Sequence, residues 1–288
     1  MIKDYVVLMR PKHWIKNVLI FFPAFFSGKV QSLENIYILI FLFFYFSLAA
    51  SVVYIINDLK DKESDQLHPE KKERPLASGA VSIKGAFLLL VLLLMLLITG
   101  SFYLKPITVF VTSLYLILNL MYSLHLKTIA VLELFIVALG FVIRVIVGAE
   151  EIDVIPSKWI VSLIFFGALY IILSKRRGEI LNTKAIKTRK VLKEYSEEYL
   201  TFSMVVILAV TIVCYMMYTI DVSVVQRFSN EHLYITTIFV ALGMLRHLQQ
   251  TLIKNNTESP VKFLFEDKFI FIIILCWLTT YYFLIYKI

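Results

Sequence analysis

Residues 57–79, NDLKDKESDQLHPEKKERPLASG, form a short polar segment between two apolar runs that are long enough to cross a bilayer. Asp58, Asp61 and Asp65 lie at i, i+3 and i+7, and Asn57 lies four residues before Asp61. If the preceding helix continues into this segment, all four side chains share one face. Carboxylates on one face repel one another unless a cation lies between them, and hard oxygen ligands suit Mg²⁺. The segment therefore predicts a magnesium site; the alternative is an acidic turn on a solvated loop.

The composition is that of a membrane protein. Of the 288 residues 59% are hydrophobic, which is more apolar surface than a soluble core needs. Cys214 and Cys276 both lie in apolar runs, so we expect them to serve packing. The net charge of +8 is explained by loop charges at a membrane face, and we expect no nucleic-acid partner.

The apolar runs predict an all-α polytopic membrane protein built as a nine-transmembrane-helix bundle. A span needs about 20 apolar residues. We expect one domain over residues 1–288, without an internal repeat. The predicted spans are residues 15–27, 35–56, 84–104, 106–123, 128–149, 158–174, 200–221, 232–252 and 268–286.

Charge asymmetry between the loops predicts the orientation. With nine spans, 23 of the 29 Lys and Arg residues fall on one side, five fall on the other, and Arg144 lies inside a span. Positive loops face the cytoplasm. We therefore expect the N-terminus and both long loops to be cytoplasmic, the C-terminus to be outside, and the protein to be multi-pass in the inner or plasma membrane.

Polar side chains at the same membrane face are candidates for binding substrate phosphates, because Arg and Lys donate to phosphate oxygens. The first group follows the aspartates, and the positive-inside bias of loops is the alternative for its lysines. The second group ends the fourth run, where an interfacial tyrosine and a snorkelling lysine are the alternative. The third group opens the second long loop, where a stop-transfer cluster is the alternative. Residues 182–199 predict an amphipathic helix. The candidates are Lys71, Arg74, Tyr122, Lys127, Lys175, Arg176, Arg177 and Glu179.

Four further charged residues lie near or within the predicted spans. An arginine inside a span is a functional candidate, so Arg144 either extends toward the outer face or pairs with a polar group in the bundle. Arg246 is a candidate for the same anion site or a charge that sets topology. Glu133 and Asp267 begin helices, and we expect only a favourable interaction with the helix dipole.

The pattern NDxxDxxxD followed by HPxKxxRPxASG resembles the UbiA-type superfamily of intramembrane prenyltransferases. The stretches RPKHWIKNVLIFFPAFFSG, YSLHLKTIAVLELFIVALGFVIRVIVGA and SKRRGEI resemble one branch, the decaprenyl-phosphate phosphoribosyltransferases. Together these motifs span residues 10–179. The branch resemblance adds Lys16 and Asn17 to the candidate substrate-binding residues.

The resemblance implies a Mg²⁺-dependent transfer of 5-phosphoribosyl from 5-phospho-α-ribosyl diphosphate to a polyprenyl (decaprenyl-like) phosphate, with release of pyrophosphate, in cell envelope biosynthesis. Aromatic prenyltransferases of the superfamily carry a second Asp-rich motif after the sixth helix. This chain has Lys175, Arg176, Arg177 and Glu179 there instead. The alternative is prenyl transfer from a prenyl diphosphate to an aromatic acceptor. A transporter is a third reading, disfavoured because the carboxylates lie at the membrane edge. A homo-oligomer is left open.

Overall fold

Helices make up the regular structure of the residues that the computed structural model describes, which are 2–67, 71–181, 190–254 and 267–286. No strand occurs within these ranges, in agreement with the predicted all-α class. The α-helices, labelled α1 to α12 in chain order, are Ile2–Met9, Phe22–Ser27, Leu33–Lys60, Lys62–Gln66, Ile83–Ser101, Pro106–Leu124, Leu132–Glu151, Lys158–Leu181, Glu197–Ile220, Val222–Phe228, Thr237–Lys254 and Lys268–Tyr286. The 3-10 helices are Pro11–Phe21, Lys29–Gln31, Lys71–Glu73, Leu126–Thr128, Lys190–Glu194 and His232–Thr236.

Seven of the described helices, α3, α5, α6, α7, α8, α9 and α12, are long and apolar enough to cross a membrane. An apolar helix of 18 residues is about 27 Å long, close to the thickness of the hydrocarbon layer. The chain is therefore a multi-pass membrane protein. The count of nine spans and the orientation of the termini stay predictions.

The other two predicted spans have different local structures. Residues 15–27 fall on the 3-10 helix Pro11–Phe21 and the short α2, which contains Pro23. Residues 232–252 fall on the last 3-10 helix and on α11, an 18-residue helix whose second half carries Arg246 and His247.

The stretch predicted as one amphipathic helix over 182–199 is not continuous. Residues 182–189 lie outside the described residues, and Lys190–Glu194 is a 3-10 helix. A new helix then begins at Glu197, because the Ser196 hydroxyl accepts the backbone N–H of Tyr199 at 3.1 Å. A serine in this position satisfies an N–H group that would otherwise lack a partner.

The chain divides into two compact units. The first contains residues 1–127 and 143–155, and the second contains residues 128–142 and 156–288. Helix α7 contributes its first half to the second unit and its second half to the first. This division into units does not test the predicted single domain over residues 1–288, which stays a prediction.

Helix α3 is the centre of the first unit and packs against α1, α5, α6 and the 3-10 helix Pro11–Phe21. Its buried positions include Phe46 and the small residues Ala49, Ala50 and Ser51. Small side chains allow helices to approach closely in a membrane. The Ser51 hydroxyl also accepts the indole N–H of Trp14 at 3.1 Å, which fixes the 3-10 helix against α3.

In the second unit, α8 and α9 form the most extensive helix pair. Tyr170 and Leu173 of α8 and Leu200 and Met204 of α9 belong to one buried apolar cluster. Helix α8 runs on to Leu181, seven residues beyond the predicted end of that span at residue 174. The Lys-Arg-Arg-Gly-Glu sequence therefore lies on a helix rather than at the start of a loop.

Gly148 of α7 should not tolerate even a methyl group. A Cβ there would lie 2.1 Å from the backbone carbonyl oxygen of Ile20, whereas a Cβ on Gly167 of α8 would meet only a Thr211 methyl group at 3.8 Å. We expect Gly148→Ala to lower the free energy of unfolding by about 1–3 kcal/mol or more. The control Gly167→Ala should be neutral or stabilise by up to about 1 kcal/mol. Unfolding of both variants in detergent micelles tests this, and equal stability would contradict it.

Candidate active site

The three aspartates lie where α3 ends and α4 begins. Helix α3 stops at Lys60, Asp61 adopts φ −91° and ψ 6°, and α4 restarts at Lys62. The expected continuous helix is thus interrupted at Asp61. Asp58 and Asp65 remain buried, with 2% and 4% of their surface exposed. The Asn57 carbonyl oxygen accepts the backbone N–H of Asp61 at 2.9 Å, which closes the last turn of α3.

Arg74 joins two of these carboxylates. Its Nη1 lies 3.1 Å from Asp58 Oδ1 and 2.6 Å from Asp65 Oδ2. The loop that carries Arg74 is held by its own backbone, since Ser78 N–H donates to the Arg74 carbonyl at 2.8 Å. Gly79, with φ 80°, supplies the left-handed turn before α5. The guanidinium of Arg74 therefore lies between Asp58 and Asp65, where the sequence predicted Mg²⁺.

Lys127 binds the third carboxylate. Its Nζ lies 2.9 Å from each oxygen of Asp61. Lys60 helps to place this partner, because its ammonium donates to the carbonyl oxygens of Ser123 and Leu124 at 2.8 and 2.7 Å. These carbonyls belong to the last turn of α6, where a cation is favourable. The sequence analysis proposed Asp61 as a metal ligand and Lys127 as a phosphate-binding residue, but it predicted neither their contact nor the role of Lys60.

Arg10 is a second partner of Asp58 that the sequence reasoning did not assign to the site. Its Nη2 donates to Asp58 Oδ1, and its guanidinium carbon lies 5.2 Å from the centre of the Tyr54 ring. Arg10 has left-handed backbone angles, φ 56° and ψ 55°, between α1 and Pro11. Proline disfavours a helical conformation in the residue before it, so the sequence Arg-Pro was the available signal for this break.

The aspartates suit a divalent metal by chemistry, although basic side chains now bind them. Asp58 and Asp65 already share one cationic group, and carboxylate oxygens are the ligands that Mg²⁺ prefers. Within the described ranges, no three His, Cys, Asp or Glu side chains converge on one point that could hold a metal ion. The residues therefore fit Mg²⁺ by type, and a metal would have to compete with Arg74 and Lys127 for them.

Tyr122, Lys71 and Lys16 belong to the same unit as the aspartates and are each half-buried. Tyr122 lies in the last turn of α6, five residues before Lys127, and Lys71 opens the 3-10 turn that leads to Arg74. Their predicted contacts with substrate phosphates stay predictions.

Arg144 lies in the interior of the first unit and pairs with polar groups there. Its Nε donates to Asn17 Oδ1 at 2.7 Å, and its Nη2 lies 3.3 Å from the Tyr115 hydroxyl. The guanidinium also lies 5.1 Å from the ring centres of Phe46 and Tyr115. Asn17 donates in turn to the Ser47 hydroxyl at 2.8 Å. The structure thus favours pairing within the bundle over extension toward the outer face.

In the second unit, Arg176 is bound by carboxylates. It donates to both oxygens of Glu133, at 2.7 and 3.0 Å, and to Glu179 at 2.9 Å. Glu133 is fully buried and Arg176 is 4% exposed. The expectation that Glu133 only interacts with a helix dipole was therefore wrong, because Glu133 neutralises a buried arginine and joins α7 to α8.

Arg177, the next residue of α8, has a similar environment. It pairs with Glu197, donates to the Thr251 carbonyl at 3.0 Å and to the Thr201 hydroxyl at 3.1 Å, and is 5% exposed. Lys175, in contrast, is exposed. The anion-binding role of these residues stays a prediction. The contacts of Arg176 and Arg177 hold helices together.

The start of α7 is strained. Val131 has φ 65°, which is unfavourable for a β-branched residue. Its backbone N–H donates to the Tyr195 hydroxyl at 2.7 Å, which stabilises this conformation. Burial raises the pKa of Tyr195, so this hydroxyl stays neutral at physiological pH.

Arg246 forms a smaller ion pair near the start of α12. Its Nε lies 3.0 Å from Asp267 Oδ2, and its guanidinium carbon lies 5.5 Å from the centre of the Phe269 ring. Asp267 Oδ1 also accepts the N–H of Phe269 at 2.9 Å. Asp267 therefore caps α12 and pairs with Arg246, which is more than the predicted dipole interaction.

Comparison with known proteins identifies the family. Residues 18–275 match the model of the UbiA prenyltransferase family. The decaprenyl-phosphate phosphoribosyltransferase of Mycobacterium tuberculosis H37Rv is 29% identical over 286 residues, covering 97% of this chain and 93% of the relative. The enzyme of the same name from Mycolicibacterium smegmatis is also 29% identical and covers 97% and 92%.

The fold agrees with this assignment. A UbiA homologue from Archaeoglobus fulgidus, solved with GPP and Mg²⁺, superimposes with a TM-score of 0.71 at 18% identity and covers 98% of this chain and 99% of that one. At this identity the likeness shows the fold alone. The resemblance seen in NDxxDxxxD and the flanking motifs is confirmed. The chain belongs to the UbiA prenyltransferase family, and it is a transferase.

Proposed function

We propose that this transferase moves the 5-phosphoribosyl group of 5-phospho-α-ribosyl diphosphate to a polyprenyl phosphate and releases pyrophosphate. The observation that carries the proposal is the similarity, over nearly the full length, to two enzymes named decaprenyl-phosphate phosphoribosyltransferase. The concentration of cationic side chains around the aspartates supports a donor that carries several phosphates.

Asp58, Asp61 and Asp65, with Asn57 assisting, would hold Mg²⁺ in this proposal. Bound metal would supply positive charge to the departing pyrophosphate, which is the main stabilisation in an electrostatic site. The A. fulgidus homologue was solved with GPP and Mg²⁺ bound, which supports a divalent metal in this fold.

Arg74 and Lys127 would bind phosphate oxygens once they are released from the aspartates. In the reaction the bond between C1 of the ribose and the diphosphate oxygen breaks, and a phosphate oxygen of the lipid forms the new bond to C1. The attacking oxygen is already anionic, so the site needs no strong general base. Tyr122, Lys71 and Lys16 would complete the phosphate-binding surface.

For the remaining candidates we propose different tasks. Exposed Lys175 would bind a phosphate, whereas Arg176, Arg177 and Glu179 would hold the end of α8 in position. Asn17 and Arg144 would stabilise the interior of the first unit, and Arg246 would hold the start of α12.

The membrane arrangement is part of the proposal. We place the protein in the inner or plasma membrane as nine spans and one domain, with a cytoplasmic N-terminus and an external C-terminus. The aspartates would then face the cytoplasm, where water-soluble phosphoribosyl diphosphate is available. The polyprenyl chain would lie between apolar helices that open to the bilayer.

Prenyl transfer to an aromatic acceptor is the second candidate. It is favoured by the fold shared with a homologue solved with GPP. It is disfavoured by the sequence after the sixth predicted span, where cations stand in place of a second Asp-rich motif.

Purified protein should release pyrophosphate when it is given Mg²⁺, phosphoribosyl diphosphate and polyprenyl phosphate together. We expect a lipid-linked phosphoribose in equal amount, detected by mass spectrometry, and no product when either substrate or Mg²⁺ is omitted. Activity only with a prenyl diphosphate and an aromatic acid would instead establish the second candidate and reject the first.

A further inference from the structure

Arg10 contacts the acidic cluster through one edge of its guanidinium. Its Nη2 donates to Asp58 Oδ1, while its side chain is 18% exposed. Asp58 is the one carboxylate that Arg10 contacts in the part of the chain that the structure describes. An arginine carries five N–H donors, so a contact through a single nitrogen leaves donors that can reach a second anion.

Asp58 Oδ1 is shared between two arginines. Arg74 Nη1 lies 3.1 Å from the same oxygen that Arg10 binds. Arg74 also binds Asp65, so it has a second carboxylate and Arg10 does not. Two guanidinium groups on one oxygen repel each other, and Arg10 is therefore the partner that can leave at the lower cost.

The charges of the cluster are balanced without a metal. Asp58, Asp61 and Asp65 carry three negative charges, and Arg10, Arg74 and Lys127 carry three positive ones. A divalent cation alone would give this group a net charge of about +2, which is unfavourable in a partly buried site. A diphosphate that enters together with the cation restores the balance and offers new acceptors to the displaced arginine.

We propose that Arg10 is a diphosphate-binding residue that holds Asp58 in the ligand-free site and passes to a diphosphate oxygen when metal and diphosphate bind. The consequence is that metal and diphosphate bind cooperatively, because each one relieves the charge imbalance that the other creates. This inference rests on the proposed function only for the presence of a metal and a diphosphate in the site.

Binding of Mn²⁺, a paramagnetic substitute for Mg²⁺, tests the inference without any turnover. Electron paramagnetic resonance titrations of the purified full-length protein would be made with and without inorganic pyrophosphate. For the unmodified protein we expect weak binding of Mn²⁺ alone and at least a tenfold gain in affinity with pyrophosphate, corrected for Mn²⁺–pyrophosphate in solution. In Arg10→Gln, Mn²⁺ alone should bind more tightly and the gain from pyrophosphate should fall about tenfold.

Lys12→Gln is the matched control. Lys12 lies two residues after Arg10, and its side chain is exposed. The variant removes the same charge as Arg10→Gln and should leave both titrations unchanged. Arg10→Lys keeps the charge and should retain part of the gain from pyrophosphate. The thermal midpoint of each variant shows whether it is folded. If Arg10→Gln does not fold, Arg10→Lys takes its place in the comparison with the unmodified protein.

Three results would overturn the inference. One is tight binding of Mn²⁺ to the unmodified protein without pyrophosphate. Another is an unchanged gain from pyrophosphate in Arg10→Gln. The third is weaker binding of Mn²⁺ alone in Arg10→Gln, which would mean that Arg10 only positions Asp58.

The two proposals can fail separately. Cooperative binding of Mn²⁺ and pyrophosphate that depends on Arg10, without phosphoribosyl transfer, would reject the proposed substrate and keep the role of Arg10. Phosphoribosyl transfer with cooperativity that does not depend on Arg10 would keep the proposed substrate and reject the role of Arg10.

Discussion

Asp61→Asn should lower the rate of pyrophosphate release by at least about 100-fold while the protein still folds and inserts. Asparagine has the same shape but lacks the negative charge that would hold Mg²⁺. Asp61 is the best of the three aspartates for this test because its ion pair with Lys127 is partly exposed, at 25% and 27%. The carboxylates of Asp58 and Asp65 are more deeply buried, so loss of the Asp61 pair should cost less stability than loss of theirs.

Turnover and Mn²⁺ binding should be measured on the same preparation of Asp61→Asn. Glu63→Gln is the control, because it makes the same chemical change at an exposed position two residues later. It should keep near-normal activity. If Asp61→Asn also keeps near-normal activity, the aspartates do not hold a metal needed for catalysis.

Glu133→Gln should destabilise the protein by about 3–5 kcal/mol. Removing one member of a buried pair leaves the other charge without full compensation, and both oxygens of Glu133 accept from Arg176. Reversible unfolding in mixed micelles with increasing denaturing detergent measures the free energy.

A double variant tests whether the loss of stability comes from the uncompensated charge. Replacing both partners, Glu133→Leu with Arg176→Met, removes the uncompensated charge and should restore most of the stability. Glu198→Gln, at an exposed position of α9, is the control and should have little effect. Equal stability of Glu133→Gln and Glu198→Gln would show that the pair contributes nothing.

Local spacing in the sequence predicted where the acidic site lies. The intervals between Asp58, Asp61 and Asp65 predicted Mg²⁺ among the carboxylates, where the structure shows Arg74 and Lys127. The Pro75–Gly79 sequence predicted a turn into the next helix. These features depend on neighbours within about 20 residues, which hydrophobic periodicity and turn chemistry describe well. Whether a metal displaces Arg74 from the carboxylates depends on binding free energies, which cannot be read from residue spacing.

Contacts between distant residues were not predictable from the pattern. Asp58 and Arg10 are separated by 48 residues, and Arg176 and Glu133 by 43. The run from Lys175 to Glu179 was read as the start of a loop because charged residues normally end a span. Helix α8 continues through it because carboxylates from α7 and α9 neutralise the arginines.

Arg144 has a consequence for the order in which the protein is made. An arginine at the centre of a helix costs about 2.5–3.5 kcal/mol when the helix enters a membrane alone. Asn17, Phe46 and Tyr115, which contact Arg144, all precede it in the chain. These three residues have therefore been synthesised before α7 leaves the ribosome. Helix α7 can then enter the bilayer next to helices that already carry the contacts for Arg144.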